Sequence, residues 1–348
     1  MTVNLKTISD TIANISFPLM TCVVISHCGI DDSGNATMDG VSRLFSSILP
    51  ISCVPIFFLM SGYLFFKNIE QFTFQVYRTK VHSRVKTLLI PYVLANTFMI
   101  LCYAFMHCFT PHLINPENFN VLKFSVVDFV KSFWSIDGFP ICYPLWYIRN
   151  LFVIVLCSPL FYLILWSKWS VRAGMLVLMC TVYFVFDQNY LLGAIYFYLG
   201  ALLSQEDVVA FLERILNPRL FLLITVIAIA AIYYNYAYSS NVWMHIQRIF
   251  VAILIIRLFY ILSTRCGRVQ SVIFESSFFI YLFHSFPVLV LKSLLIKVIS
   301  PANSLEWITT YVMLIVTSLI VCIGTYCILK TSIPSLLSIL VGGRNLKK

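Results

Sequence analysis

Two histidines lie within apolar runs, where an imidazole is costly unless it meets a polar group. His27 ends the run FPLMTCVVISHCG, and His284 lies in SSFFIYLFHSFPVLVLK. Histidine exchanges a proton readily near neutral pH, so each residue is a candidate general acid or base. The alternative for His27 is an interfacial histidine, and the alternative for His284 is one that a neighbouring helix satisfies.

A second candidate group opens the run PLWYIRNLFVIVLCSP, which carries Trp146, Arg149 and Asn150. Trp146 alone is typical of a membrane interface. Arg149 lies about one turn inside the run, where an arginine either reaches back to the interface or lines a polar cavity.

The stretch from Val54 to Tyr92 connects two apolar runs through a basic segment. The first run, VPIFFLMSGYLFFK, contains the polar residue Ser61, which indicates helix packing or binding at that point. The segment then gathers cations that include Lys80, Arg84 and Lys86. These cations either fix the topology by the positive-inside rule or receive a polyanionic ligand such as a nucleotide cofactor.

The composition predicts a membrane protein. Of 348 residues, 60% are hydrophobic and 11% are charged, and the mean hydropathy is +0.90. The net charge of +10 does not indicate nucleic-acid binding, because the cations lie at the ends of apolar runs. The eleven cysteines form no CxxC pair and no metal-ligand spacing, so no metal is predicted. Cys28, Cys108 and Cys142 fall near helix ends on one predicted side, where a disulfide is a minor alternative.

The apolar runs predict an all-α, polytopic transmembrane helix bundle of about ten spans that forms a single domain over residues 1–348. The spans are 12–30, 44–66, 87–109, 144–166, 171–187, 189–204, 219–239, 243–263, 277–299 and 307–329. If the fifth and sixth runs form a re-entrant pair, the chain has eight spans and the same topology, with both termini on one side of the membrane. If successive connections alternate between the two sides of the membrane, 17 of the 24 Lys and Arg lie on the side of the N-terminus. By the positive-inside rule this side is the cytoplasm, and ten spans place both termini there. We read the first run as a retained span.

Six strings occur in order and together resemble one family. They are the histidine that closes the first run, VPIFFLMSGYLFF, RVKTLLIPY, PLWYIRNL, FYLGALL and SFFIYLFHS. This chain closely resembles the acyltransferase 3 family of bacterial integral-membrane acyltransferases, from its first run to its last. No GxSxG, HExxH, Walker or GxGxxG motif accompanies them.

The resemblance implies a multi-pass enzyme of the bacterial inner membrane that moves an acyl group, often acetyl, from cytoplasmic acetyl-CoA. The acceptor is a hydroxyl of an envelope sugar or lipid-linked glycan, such as lipopolysaccharide or another polysaccharide. No tightly bound cofactor is implied, because acyl-CoA serves as co-substrate. His27 matches the family histidine, the acid/base or transient acyl carrier, and Arg84 matches the arginine that binds the donor phosphates.

The sequence departs from the family pattern at three places. Ser16 stands where many members have arginine, Thr87 where a second arginine is frequent, and Leu151 and Phe152 where others have glutamate. Lys80 and Lys86 can supply charge beside Arg84.

The remaining candidates, Arg149, Trp146, Asn150, His284 and Ser61, are predicted to contact the substrate, with Arg149 stabilising an oxyanion or orienting the sugar. A transporter or flippase for a lipid-linked sugar or small anion is the alternative function, and a scaffold of a polysaccharide assembly complex is a third.

Overall fold

The computed structural model describes residues 5–31, 33–111, 120–135, 138–186, 189–205 and 208–343. Across these ranges the secondary structure is helical, and no strand occurs in them, which confirms the all-α prediction. Several residues used in the sequence analysis lie outside the described ranges. They are the cations Arg344, Lys347 and Lys348 of the charge count.

The α-helices are numbered in chain order. They are α1 Leu5–His27, α2 Ala36–Ser42, α3 Cys53–Phe66, α4 Phe74–Arg84, α5 Ile90–Phe109, α6 Val126–Phe133, α7 Trp146–Leu156, α8 Ser158–Leu165, α9 Trp169–Phe186, α10 Asn189–Gln205, α11 Val208–Leu216, α12 Pro218–Tyr238, α13 Asn241–Cys266, α14 Val272–Glu275, α15 Ser277–Phe283, α16 Ser285–Ile299, α17 Ser304–Ser332 and α18 Pro334–Leu340.

Prolines explain where the long helices change direction or pitch. Helices α7 and α8 meet at a bend of 58° next to Pro159, and α15 and α16 meet at 63° next to Pro287. A proline has no N–H for the carbonyl four residues back, and its ring crowds that carbonyl, so the helix breaks there. Two π-helical segments, Arg43–Ile48 and Val85–Leu89, likewise end shortly before Pro50 and Pro91.

The chain divides into two compact units. The first comprises Met1–Pro18, Ile51–Arg84 and Asn150–Gln270, and the second comprises Leu19–Pro50, Val85–Arg149 and Ser271–Lys348. The prediction of a single domain stays a prediction.

In the first unit, helices α3 and α10 pack backbone against backbone. A Cβ on Gly62 would fall on the carbonyl oxygen of Phe197, and a Cβ on Gly200 would fall on that of Leu59. Small residues allow membrane helices to approach this closely, since apolar side chains gain little by leaving lipid. The polar interruption of the run at Ser61 therefore lies beside a helix-packing surface.

Asn14 connects α1 to the end of α13 within the same unit. Its Nδ2 donates to Ser263 Oγ at 2.9 Å and to the carbonyl of Gly267 at 2.7 Å, and its Oδ1 accepts from the Val269 N–H at 2.9 Å. Asn14 is buried, and these bonds give both its amide nitrogen and its amide oxygen hydrogen-bond partners.

The second unit contains the C-terminal end of α1, helix α5, the connection around α6, and the helices from α14 onward. Tyr92 of α5 donates to the carbonyl of Phe133 at the end of α6, and the Ile141 N–H donates to the Ser132 carbonyl at 2.7 Å. These bonds hold the connection between α6 and α7 against the rest of the unit.

Seven helical segments in the described ranges are long and apolar enough to cross a membrane, and the number is nine if each bent pair is one span. Two of the seven, Ala36–Phe66 and Phe74–Phe109, join numbered helices through π- or 3-10-helical turns. Nine of the ten predicted spans correspond to these. The sixth corresponds to α10, whose 17 residues are short for a crossing. The chain is thus a multi-pass membrane protein, while the count of ten and the cytoplasmic termini stay predictions.

Candidate functional site

His27 is the last residue of α1, and its own helix fixes its tautomer. Nδ1 lies 2.7 Å from the carbonyl oxygen of Val23 and 3.0 Å from Ser26 Oγ. A carbonyl oxygen only accepts hydrogen bonds, so Nδ1 carries the proton and donates it to Val23. The neutral ring therefore keeps its lone pair on Nε2, the atom that can accept a proton or attack an acyl group.

His284 lies in the break between α15 and α16 and has the same tautomer. Its Nδ1 faces the carbonyls of Ile280 at 2.9 Å and Tyr281 at 3.0 Å, which again require a donor. The side chain is fully buried, and its Nε2 has no hydrogen-bond partner among the described residues. A buried polar atom without a partner is costly, and such atoms call for a functional explanation.

The two imidazoles are in contact. Their ring centroids are 5.1 Å apart with an interplanar angle of 69°, an edge-to-face arrangement. The ring of Tyr143 lies on another side of His27, at 5.9 Å and 61°. His27 is half-buried and Tyr143 is about half exposed, so this cluster is accessible at one end and closed at the end of His284.

Arg149 holds the connection that precedes Tyr143. Its Nη1 donates to the carbonyls of Ser135 and Gly138, both at 2.7 Å, and its side chain is 3% exposed. These contacts give Arg149 a structural task near the His27 cluster. Its predicted contact with substrate stays a prediction, as does that of the half-buried Trp146 one turn earlier on α7.

Sequence reasoning missed Tyr143 and Lys292. Lys292 of α16 donates from Nζ to the carbonyl of Gly29, two residues after His27. A cation is favoured there because the C-terminal end of α1 carries partial negative charge. A lysine inside the run VLVLKSLLIK was a visible signal, since charged residues within apolar runs are rarely without a role.

Cys142, next to Tyr143, is buried in the second unit. Its N–H donates to Asn96 Oδ1 at 3.1 Å, and its Sγ lies 3.7 Å from Ser285 Oγ. Burial raises the pKa of the Cys142 thiol to about 12, which the bond to Ser285 only partly opposes. The thiol is therefore unsuited to act as a nucleophile. All eleven cysteines are free, so the disulfide considered for Cys28, Cys108 and Cys142 is absent.

In the basic segment, Lys80 and Arg84 belong to the first unit and Lys86 belongs to the second. Lys80 donates from Nζ to the carbonyl of Phe65 and lies 4.9 Å from the centre of the Phe65 ring, so it caps the C-terminal end of α3. Arg84 is the last residue of α4, one turn after Lys80 and half-buried, and the exposed Lys86 lies in the π-helical segment. The donor-binding roles of all three stay predictions.

Ser61 and Asn150 belong to the first unit. Ser61 is half-buried in α3, beside the packing glycine Gly62, and Asn150 is fully buried in α7. An open groove of about 730 Å³ in that unit contains none of the predicted site residues. It is lined by Glu213, Arg214, Asn217, Arg219, Leu220 and Leu223.

No group of three His, Cys, Asp or Glu side chains in the described ranges could hold a metal ion. The chemistry offered by the His27 cluster is that of an imidazole: proton transfer, or attack on an activated acyl group.

Comparison with known proteins identifies a family for this chain. A family model described as an acyltransferase domain matches residues 19–327, a range that includes His27, the basic segment, Arg149 and His284. No curated protein and no solved structure matches the chain significantly.

Proposed function

Because the chain belongs to the acyltransferase 3 family, we propose that it transfers an acyl group, acetyl in the first instance, from a cytoplasmic acyl-CoA. The acceptor is a hydroxyl of an envelope sugar or lipid-linked glycan. The enzyme resides in the bacterial inner membrane with both termini in the cytoplasm.

The observation that carries this proposal is the state of His27. Its Nδ1–H bond to Val23 leaves the Nε2 lone pair available in a half-buried position, as a general base requires. In the reaction, Nε2 removes the hydroxyl proton of the acceptor as the oxygen attacks the thioester carbonyl. The C–S bond of the tetrahedral intermediate then breaks, and the proton passes from Nε2 to the departing thiolate.

A two-step route uses the same atom. Nε2 attacks the thioester and forms an acyl-imidazole with release of the thiolate. The acceptor hydroxyl then attacks the acyl carbon, the C–N bond breaks, and the hydroxyl proton passes to Nε2 and on to the thiolate. Both routes need an unprotonated Nε2 and end with CoA thiol and an ester.

Donor binding is assigned to the basic segment. Arg84 and Lys86 bind the phosphates of the CoA, since a guanidinium fork matches phosphate oxygens and an ammonium adds charge. Lys80 adds positive charge while it caps α3. Trp146, Asn150 and Ser61 contact the acceptor or the acyl chain, and Arg149 shapes the acceptor side through the turn that it holds.

Mass spectrometry of surface glycans tests the proposal. Cells that lack the gene are complemented with the wild-type chain, with His27→Ala, or with the control His107→Ala, and membrane levels are matched by immunoblot. We expect one acyl mass increment with wild type and with His107→Ala, and none with His27→Ala. Glycans that are unchanged on deletion, or that His27→Ala restores, contradict the proposal.

The two bent helix pairs favour a second candidate, a transporter or flippase, because transporter sites often use broken helices. Proteoliposomes separate the two functions. With acetyl-CoA outside and a lipid-linked glycan supplied, a transferase releases free CoA thiol, whereas a flippase moves the glycan without a chemical change.

A further inference from the structure

The proposed reaction leaves the open groove of the first unit without a task. The groove has a volume of about 730 Å³ and lies at the corner where α11 ends and α12 begins, and Arg214, Asn217 and Arg219 are among its lining residues. We propose that this groove binds the headgroup phosphate of an anionic phospholipid, whose acyl chain lies along the exposed apolar side chains of α12. The proposal does not depend on acyl transfer.

Arg257 of α13 holds the corner in place. Its Nη1 donates to the carbonyl of Ile215, in the last turn of α11, at 2.6 Å and to the carbonyl of Asn217 at 3.3 Å. Its guanidinium carbon lies 3.8 Å from the centre of the Phe221 ring, and the residue is 8% exposed. Because Arg257 binds a carbonyl at the C-terminal end of α11, it offsets the partial negative charge of that helix end.

The corner carries more positive than negative charge. Arg214 and Arg219 are exposed, and the carboxylate of Glu213 also lines the groove. In the described part of the chain, no ion pair joins Arg214, Arg219 or Arg257 to a carboxylate. Three guanidiniums beside one carboxylate leave an excess of positive charge, and the N-terminal end of α12, which begins at Pro218, adds to it. An anion is the ligand that complements this charge.

The apolar side of the groove favours a lipid over a soluble anion. Leu220 and Leu223 line the groove and are 38% and 56% exposed, and the exposed Val226 and Ile229 continue the apolar surface along α12. The corner lies at the start of a membrane-spanning helix, which is the level of the lipid headgroups. The fork of an arginine matches a phosphodiester, and an acyl chain covers the apolar surface. A soluble phosphate would use the cations alone.

The competing explanation is that Arg214 and Arg219 serve the topology alone, by the positive-inside rule. Their position beside the groove would then be irrelevant, and another pair of exposed arginines would be equivalent. Arg265 and Arg268, at the C-terminal end of α13, provide this comparison. Both are exposed, belong to the same unit and lie on the same predicted side of the membrane, and neither lines the groove.

Native mass spectrometry measures lipid binding to the full chain. The wild-type chain, the groove variant Arg214→Gln/Arg219→Gln and the control variant Arg265→Gln/Arg268→Gln are purified in detergent. Each is titrated with phosphatidylglycerol and, separately, with phosphatidylcholine that has the same acyl chains. The two double variants lose the same charge, and the groove variant keeps the contacts through which Arg257 holds the corner.

We expect the wild-type chain and the control variant to bind phosphatidylglycerol more tightly than phosphatidylcholine. The groove variant should bind phosphatidylglycerol at least about tenfold more weakly, because it loses charge-assisted hydrogen bonds to the phosphate. Equal affinities of the wild-type chain and the groove variant overturn the proposal. Equal weakening in both double variants also overturns it, since that result shows a general attraction between charges.

Thermal unfolding in detergent separates a lipid from a soluble phosphate, because a ligand of the folded chain raises the unfolding temperature. Phosphatidylglycerol should raise this temperature in the wild-type chain and the control variant, and less in the groove variant. Any rise that acetyl-CoA produces should be the same in all three chains. Stabilisation by inorganic phosphate or acetyl-CoA that is lost in the groove variant assigns the groove to a soluble ligand and overturns the proposal. The lipid result is independent of the glycan experiment.

If the groove variant does not fold, the wild-type chain still gives a result. Phosphatidylglycerol with a photoreactive diazirine in its headgroup is added to the full chain, and the labelled peptides are identified by mass spectrometry after irradiation. We expect the label to concentrate on residues 213–223. Label that is spread over all basic segments, or that concentrates elsewhere, overturns the proposal.

Discussion

The rings of His27 and His284 lie edge to face, 5.1 Å apart, although they come from the first and the ninth apolar runs of the chain. Each ring donates from Nδ1 to a carbonyl of its own helix. The folded chain thus sets one half-buried imidazole with a free lone pair against a second that is sealed from solvent. This relationship turns two separate candidates into one site.

Arg149 should keep Cys142 inaccessible. Replacing Arg149 with Met leaves the partly buried carbonyls of Ser135 and Gly138 without their donor, and the loss of a hydrogen bond from a charged group costs about 1–3 kcal/mol. The turn should then open more often, and the accessibility of Cys142 should rise about tenfold for each 1.4 kcal/mol lost. Peptide mass spectrometry after N-ethylmaleimide treatment at pH 8 measures this.

Two controls accompany that experiment. In the wild-type chain the exposed Cys266 should react, while Cys142 should not, because it is buried and its pKa of about 12 leaves almost no thiolate at pH 8. Arg257→Met removes another arginine that donates to carbonyls, those of Ile215 and Asn217 in the first unit, and should leave Cys142 unreactive. Equal labelling of Cys142 in both variants would mean general unfolding.

Asn14 should contribute more to stability than Ser16 on the same helix. Asn14→Ala removes three hydrogen bonds to the end of α13 and beyond, which we expect to cost about 2–3 kcal/mol. Ser16 donates only to the carbonyl of Ile12 one turn back, so Ser16→Ala should change stability by less than about 0.5 kcal/mol. Thermal unfolding in detergent, followed by size-exclusion fluorescence, compares them, and similar losses in both variants would refute the assignment.

The sequence predicts helices well here because each span is a local property of its own residues. Nine of the ten predicted spans correspond to helices or bent pairs of suitable length. The bends and π-helical segments were not predicted, although Pro50, Pro91, Pro159 and Pro287 mark their places. A proline can be tolerated, kink a helix or widen it, and its neighbours in space decide which.

The site was predictable only one residue at a time. His27 and His284 were identified singly, because an imidazole in an apolar run is costly wherever it lies. The contact between the two rings could not be predicted, since it depends on how helices that are distant in the sequence pack together. The same reason applies to Lys80: its place in a basic segment is visible in the sequence, whereas its hydrogen bond to the Phe65 carbonyl at the end of α3 depends on the packing of α4.

Gly62 should tolerate no side chain. A Cβ at Gly62 would fall on the carbonyl oxygen of Phe197, which belongs to a helix backbone and cannot rotate away. We expect Gly62→Ala to cost at least about 1–3 kcal/mol through overpacking and to reduce the amount of folded protein in membranes. Gly174→Ala in α9 is the matched control, because nothing lies within 4 Å of its Cβ position. Equal yields and unfolding temperatures for the two variants would contradict this account of α3 and α10.

Lys80 and Arg84 should fail in different ways when they are neutralised. Lys80→Met removes the ammonium that binds the Phe65 carbonyl at the end of α3, so we expect a lower unfolding temperature, with a loss of about 1 kcal/mol. Arg84→Met should raise the KM for acetyl-CoA about tenfold, because the phosphates lose one charge-assisted contact. Release of CoA thiol at varied acetyl-CoA concentration, measured beside thermal unfolding, gives both quantities. Arg78→Met, which neutralises an exposed arginine earlier on α4, is the control for the loss of one positive charge and should change neither by much. An unchanged KM in Arg84→Met would remove Arg84 from the donor site, and a KM effect in Lys80→Met without a loss of stability would mean that Lys80 acts on the donor and not at the end of α3.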